Sequence, residues 1–216
     1  MALLSRKPRY LQNGLTVPFI TTWDAEEMTM PALAVRWGPY GARLAYQDST
    51  PMDWDHHGVL WVRQGLARGK GKALMAQVHA FRQRRAMFDL LCQVCGGCTL
   101  EEDFDRQLYV MNSANGQPIN ERERTTAPPV CTGCAPEAVT SCPRLINRYV
   151  AAWVEAARPW GVSGILHDPK TLLPVTEDLV EIPFSDVRSR WIVALRAVYE
   201  LSGVTAVDLA RVKQPA

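Results

Sequence analysis

The chain has 216 residues, of which 47% are hydrophobic and 21% charged, and its net charge is +2. That is enough apolar material for one ordinary globular core or two small ones, and too balanced a charge for a polyelectrolyte or a disordered tail. Any contact with nucleic acid or phosphate must then come from a local patch.

Residues 1–18 read as a loosely held arm; Arg6, Lys7 and Arg9 are not followed by the apolar segment of a signal peptide. No run is long and apolar enough to cross a bilayer, so the expectation is a cytoplasmic protein with no membrane contact. Residues 19–23 read as a strand. Asp24, Glu26 and Glu27 look like a cap and acidic first turn of a short helix that Pro31 ends. Two β-type runs flank Gly38-Pro39-Tyr40-Gly41 and predict a hairpin. A polar loop over 48–58 and a strand over 59–62 follow.

Residues 72–91 carry the clearest helical pattern, with Leu74, Val78 and Phe81 on one face and Arg82, Arg84 and Arg85 on another. A strand is expected over 108–111 and a loop over 112–120. A helix is expected from Ala135 or Pro143 to Arg158, stopped by Pro159. A hairpin over 161–183 turns at Asp168-Pro169-Lys170. A last helix, capped by Ser185 and Asp186, buries Trp191, Ile192, Leu195, Val198 and Tyr199. The expected fold class is α+β, with an N-terminal β-rich section (1–71), a central zinc module (72–158) and a C-terminal hairpin and helix (159–216), packed as one unit.

All six cysteines fall between Cys92 and Cys142. Cys92 and Cys95 form one C-x-x-C pair; Cys131 and Cys134 form a second beyond an insert. Two such pairs suit a tetrahedral zinc site, each short loop presenting two thiolates to one metal. In a reducing compartment clustered cysteines bind metal more readily than they form disulfides. The expected cofactor is a structural Zn2+, with Gly96 and Gly133 shaping the knuckles by positive φ. Cys98 and Cys142 are left over, either as buried free thiols or as replacement ligands.

Three weaker constellations stand beside the cysteines. Arg68, Lys70, Lys72, Arg82, Arg84 and Arg85 could contact nucleic-acid phosphates, or simply line a solvated face or compensate the thiolate charge. Asp53, Asp55, His56 and His57 could hold a catalytic divalent metal, although neighbours in an extended loop point to opposite sides. Trp37, Trp54 and Trp61, among seven tryptophans, could form a stacking surface or an interface with a protein partner or a second copy.

The run from Arg82 to Gly96, a basic helix leading into Cys92-Gln93-Val94-Cys95-Gly96, resembles the entry to HNH-type treble-clef domains. The second pair, with Pro128-Pro129-Val130 before Cys131 and Pro143 after Cys142, resembles a group of actinobacterial proteins with the same knuckle. The resemblance implies a treble-clef fold over the middle third of the chain. An HNH nuclease also needs a histidine in the insert as general base, and none stands between Cys95 and Cys131. The expectation is therefore no catalytic residues in this element. It is instead a zinc-stabilised binding protein that contacts nucleic acid through the basic helix. The alternatives are a protein-interaction adaptor or oligomeric scaffold, and a metal-dependent enzyme using the Asp53–His57 loop.

Overall fold

The computed structural model describes residues 9–39, 41–101, 105–113 and 115–212. The N-terminal third is a series of short antiparallel pairs. β1 (Tyr10–Gln12) pairs with β2 (Leu15–Val17). β3 (Thr21–Trp23) and β4 (Met28–Thr29) are followed by the expected hairpin, β5 (Leu33–Gly38) and β6 (Gly41–Tyr46). β7 (Leu60–Trp61), β8 (Arg63–Gln64) and β9 (Ala73–Val78) come next; β4 pairs with β8 and β3 with β9. After helix α1 (Ala80–Phe88) come β10 (Gln107–Asn112), β11 (Arg124–Thr125) and helix α2 (Ala135–Ser141).

The rest is strand. β12 (Tyr149–Leu166) and β14 (Ile192–Ala206) pair antiparallel from Ala152 opposite Ala206 to Leu166 opposite Ile192. β10 lies outside β12, β11 and the parallel β7 lie against β14, and β13 (Val180–Pro183) closes on the C-terminal half of β12. This curled six-stranded sheet carries the main core, in which Val162, Ile182, Ile192 and Tyr199 meet Met87 of α1. It draws strands from all three sections of the chain, and β12 itself runs across residue 158.

The α+β expectation with C-terminal helices is overturned: the molecule is mostly β, and the described residues hold two α-helices. The helix expected to run on to Arg158 stops at Ser141, and β12 takes its place. The last expected helix is a single 3-10 turn over Val187–Trp191, and its supposed buried face from Ile192 onward belongs to β14. The helix expected over 72–91 is β9 followed by the shorter α1, divided at His79. No helix forms after Asp24, whose carboxylate instead accepts the Lys72 N–H at 2.9 Å.

One physical cause explains the C-terminal errors. β12 and β14 are buried on both faces along much of their length, so their apolar residues do not alternate with period two. Ala152, Trp153 and Ala156 then imitate helical spacing. Ile192, Val193, Val198, Tyr199 and Val204 prefer a pleated surface. Pro159 sits at a register shift between Pro159 and Gly161, the kind of irregularity at which a strand tolerates proline.

Candidate metal centre

The first knuckle begins where α1 ends. Leu90 has φ +48°, and the N–H of Leu91 reaches back to the carbonyl of Ala86 at 2.9 Å. A left-handed residue with that bond reverses the chain off a helix end. The knuckle is closed by Cys92 N–H to Gly97 O at 2.7 Å and Gly96 N–H to Cys92 O at 2.8 Å. Gly96 has the expected positive φ, at +72°; Gly133 does not adopt one. The N–H groups of Val94 and Gly97 point at the sulfurs of Cys92 and Cys95, each at 3.4 Å. Such donors delocalise thiolate charge and hold the sulfurs in place.

The second pair opens α2. Cys134 N–H and Ala135 N–H both donate to Cys131 O, at 3.0 and 3.1 Å, and Cys134 is the residue that caps the helix. The two knuckles are tied by backbone: Gln93 N–H donates to Pro129 O at 2.9 Å, and Val130 N–H to Leu108 O at 2.8 Å. Cys92 and Cys134 are buried among Val94, Leu108, Val110, Val130 and Leu209. The sulfurs are thus placed by a packed cluster rather than by free loops.

The Sγ atoms of Cys92, Cys95, Cys131 and Cys134 all lie within 4.8 Å of one another, and those of Cys95 and Cys131 are 3.8 Å apart. A disulfide would need about 2 Å, and all six cysteines are free. Zinc–sulfur bonds of about 2.3 Å at tetrahedral angles place sulfurs about 3.8 Å apart. The donor set therefore fits a metal ion such as zinc. The thiols interact strongly. Hydrogen bonds from Cys131, then Cys134 and Cys92, hold Cys95 far below the ordinary thiol range, while Cys134, Cys92 and Cys95 push Cys131 up. Four sulfurs this close cannot all ionise unless a cation balances them.

No family model matches the chain, and no curated protein or solved structure matches it either. The likeness to HNH-type domains stays with the knuckle residues that carry it.

The remaining cysteines and cations have other places. Cys98 bridges to Leu91 and packs near Phe19 and Ile20, and Cys142 ends α2. Arg9 donates to the Cys134 sulfur at 3.3 Å and pairs with Glu137 at 3.6 Å. Spacing offered no hint of that contact. Arg68 lies over the rings of Tyr10 and Phe19. Burial and the charge of Arg82 push its guanidinium down, against an upward pull from Tyr10, Glu26 and Cys95.

The expected basic surface is divided. Arg82 is 5% exposed and faces the interior. It grips both carboxylate oxygens of the buried Glu26 at 2.6 Å each, and also donates to Thr21 O at 2.6 Å. Arg84 lies over the Trp61 ring at 4.4 Å, and Arg85 pairs with Asp89 at 3.1 Å. Lys70 and Lys72 are exposed. Glu26, read in the sequence as a helix-capping acid, is the residue whose role went unrecognised; no motif joins it to Arg82, 56 positions away.

The loop from Asp53 to His57 does not converge. Asp53 accepts from Arg63 Nε and Nη2, both at 2.8 Å. Asp55 accepts from Trp61 Nε1 at 2.9 Å and from the N–H groups of His57 and Val59. His57 stacks on Phe184 with centroids 3.7 Å apart. Among the described residues these four do not form a metal-binding group. The expected tryptophan surface is also dispersed: Trp37 is 82% exposed, whereas Trp61 is buried and Trp54 donates to Leu44 O at 3.0 Å.

Proposed function

We propose that the chain is a zinc-stabilised binding protein, with one Zn2+ held by Cys92, Cys95, Cys131 and Cys134. The supporting observation is the convergence of four sulfurs from two backbone-linked knuckles, with a 3.8 Å edge that suits tetrahedral zinc. Four protein ligands leave no position for water, so the ion would hold structure and take no part in chemistry. The cations of α1 add no support for a nucleic-acid partner, because Arg82 faces inward and Arg84 and Arg85 have neighbours of their own. One observation favours the adaptor alternative. Val35 and Trp37 share a face of β5 and are 44% and 82% exposed.

Elemental analysis of protein purified without added metal should find one zinc per chain. Cys92→Ser combined with Cys131→Ser should abolish it. Chelation should cost several kcal/mol of stability, roughly 10 °C in Tm for a chain of this size. A metal-free chain that is equally stable would end the reading. Trp37→Ser should weaken self-association in sedimentation if the adaptor alternative holds.

A further inference from the structure

Gly38, Pro39 and Gly41 at the joined ends of β5 and β6, the loop ending at Gly58 and the 3-10 turn ending at Trp191 meet around a small recess of about 20 Å³. Among the described residues it is lined by Arg43, Arg190 and His57 together with Gly38, Pro39, Gly41 and Gly58, none of them a carboxylate. Nearby acids have other partners. Asp53 holds Arg63, Asp55 holds Trp61 and backbone N–H groups, and Asp186 holds Arg188 at 2.6 Å.

Arg43 is the decisive group. Among the described residues it has no ion pair and no hydrogen bond, and its Nε is shut off from solvent without an acceptor. Its flat face lies over the Trp54 ring at 4.1 Å, and its Nη1 stands beside Gly58 at the recess, where an anion would meet it. Arg36 stands directly opposite it in the β5–β6 register, so a second positive charge faces the same side of the hairpin. A buried donor with no acceptor and two like charges in register are both unfavourable until an anion arrives.

The glycines make room for that anion. A Cβ on Gly38 would lie 3.0 Å from Arg43 Nε, one on Gly58 3.4 Å from Arg43 Nη1, and one on Gly41 3.3 Å from Arg190 Nη1. Gly41 and Gly58 have φ of +105° and +79°, which the turns alone would require. Gly38 has no such backbone reason. Its missing side chain serves the space beside the guanidinium.

We propose that Arg43, Arg190 and His57, with the three glycines, form a binding site for a phosphate group. The recess holds about one water-sized body, so one phosphate oxygen enters and the others stay at the mouth. A guanidinium edge presents parallel donors to such an oxyanion, and a surface site suits a terminal monoester or a diester alike. This site is separate from the cysteine cluster and does not depend on it.

The test is an NMR titration of zinc-saturated protein at constant ionic strength, following the Arg43 Nε–Hε signal. Inorganic phosphate should shift it saturably where chloride does not. Arg43→Gln should weaken phosphate binding at least tenfold, and so should Gly38→Ala, which keeps every charge and only fills the space. Circular dichroism confirms that each variant is folded; if either unfolds, Arg190→Gln is read in its place. A 5′-phosphorylated dinucleotide that binds tighter than phosphate identifies a nucleic-acid end as the source, and equal binding identifies a free phosphoryl compound. No saturable shift, or a shift unchanged in Gly38→Ala, overturns the proposal.

Discussion

Arg82 belongs by sequence to a basic helix and by structure to the interior, where Glu26 takes both ends of its fork. Burial pushes the Glu26 carboxyl up. The hydrogen bonds from Arg82 and from the Trp23 and Ala67 N–H groups outweigh it, and hold the group below the usual carboxylate range. Breaking a buried pair leaves an uncompensated charge, so Arg82→Ala should cost about 3–5 kcal/mol by urea unfolding. Replacing both, as Glu26→Leu with Arg82→Met, should cost less than the sum of the single changes. It should not be neutral, because the N–H groups of Trp23 and Ala67 lose their acceptor. His79 beside this pair is fully buried; it accepts from Arg82 N–H and donates from Nε2 to Gly65 O at 2.9 Å, which requires a neutral ring. Burial depresses its pKa below 6.5, so the folded state takes up its proton less readily than the unfolded chain. Its contribution is complete above pH 6.5 and declines as pH falls below that value; Glu26 adds a second loss below about 4.5. Urea midpoints of zinc-loaded protein from pH 7.5 to 5 should fall, and the difference from His79→Gln should narrow over the same range.

At the scale of elements, the contact of β12 with β13 and β14 is set by glycine. A Cβ on Gly164 would run into the backbone carbonyl of Val193, and one on Gly161 into that of Ile182. Strands can approach this closely only where no side chain intervenes. Gly164→Ala should therefore destabilise by roughly 3 kcal/mol or more, because backbone cannot step aside as a side chain tip can. Gly133→Ala, where a Cβ meets nothing within 4 Å and φ is not positive, should change Tm little. Parallel melting curves of the two variants check both expectations. The end of α1 is an element boundary the sequence hid: Leu90, not a glycine, occupies the left-handed position that sends the chain into the first knuckle.

At the scale of the molecule, the cysteine cluster fixes one end of the sheet. β10 follows the first knuckle, α2 leaves the second, and β12 comes after, with Leu108 and Ala151 in the same buried cluster as Cys92 and Cys134. Loss of zinc should thus loosen β10 and the start of β12 before the β12–β14 ladder near Val162. Hydrogen exchange on chelated protein should show earlier exchange at Val110 and Ala151 than at Val162 and Val198.

The cysteine spacing was sufficient to name all four converging sulfurs, because a C-x-x-C turn is a local object and two of them leave few other arrangements. The hairpin around Gly38 and Gly41 was legible for the same reason: glycine and proline act within a few residues. The long strands were not legible. Whether an apolar run becomes helix or strand when both faces are buried depends on which neighbours cover it, and β14 lies about forty residues from its partner. The partner of Arg82, the stacking of Arg84 and the place of Arg43 beside Gly58 were decided the same way. Charge on a side chain is written in the sequence, but what neutralises it is chosen by the tertiary fold.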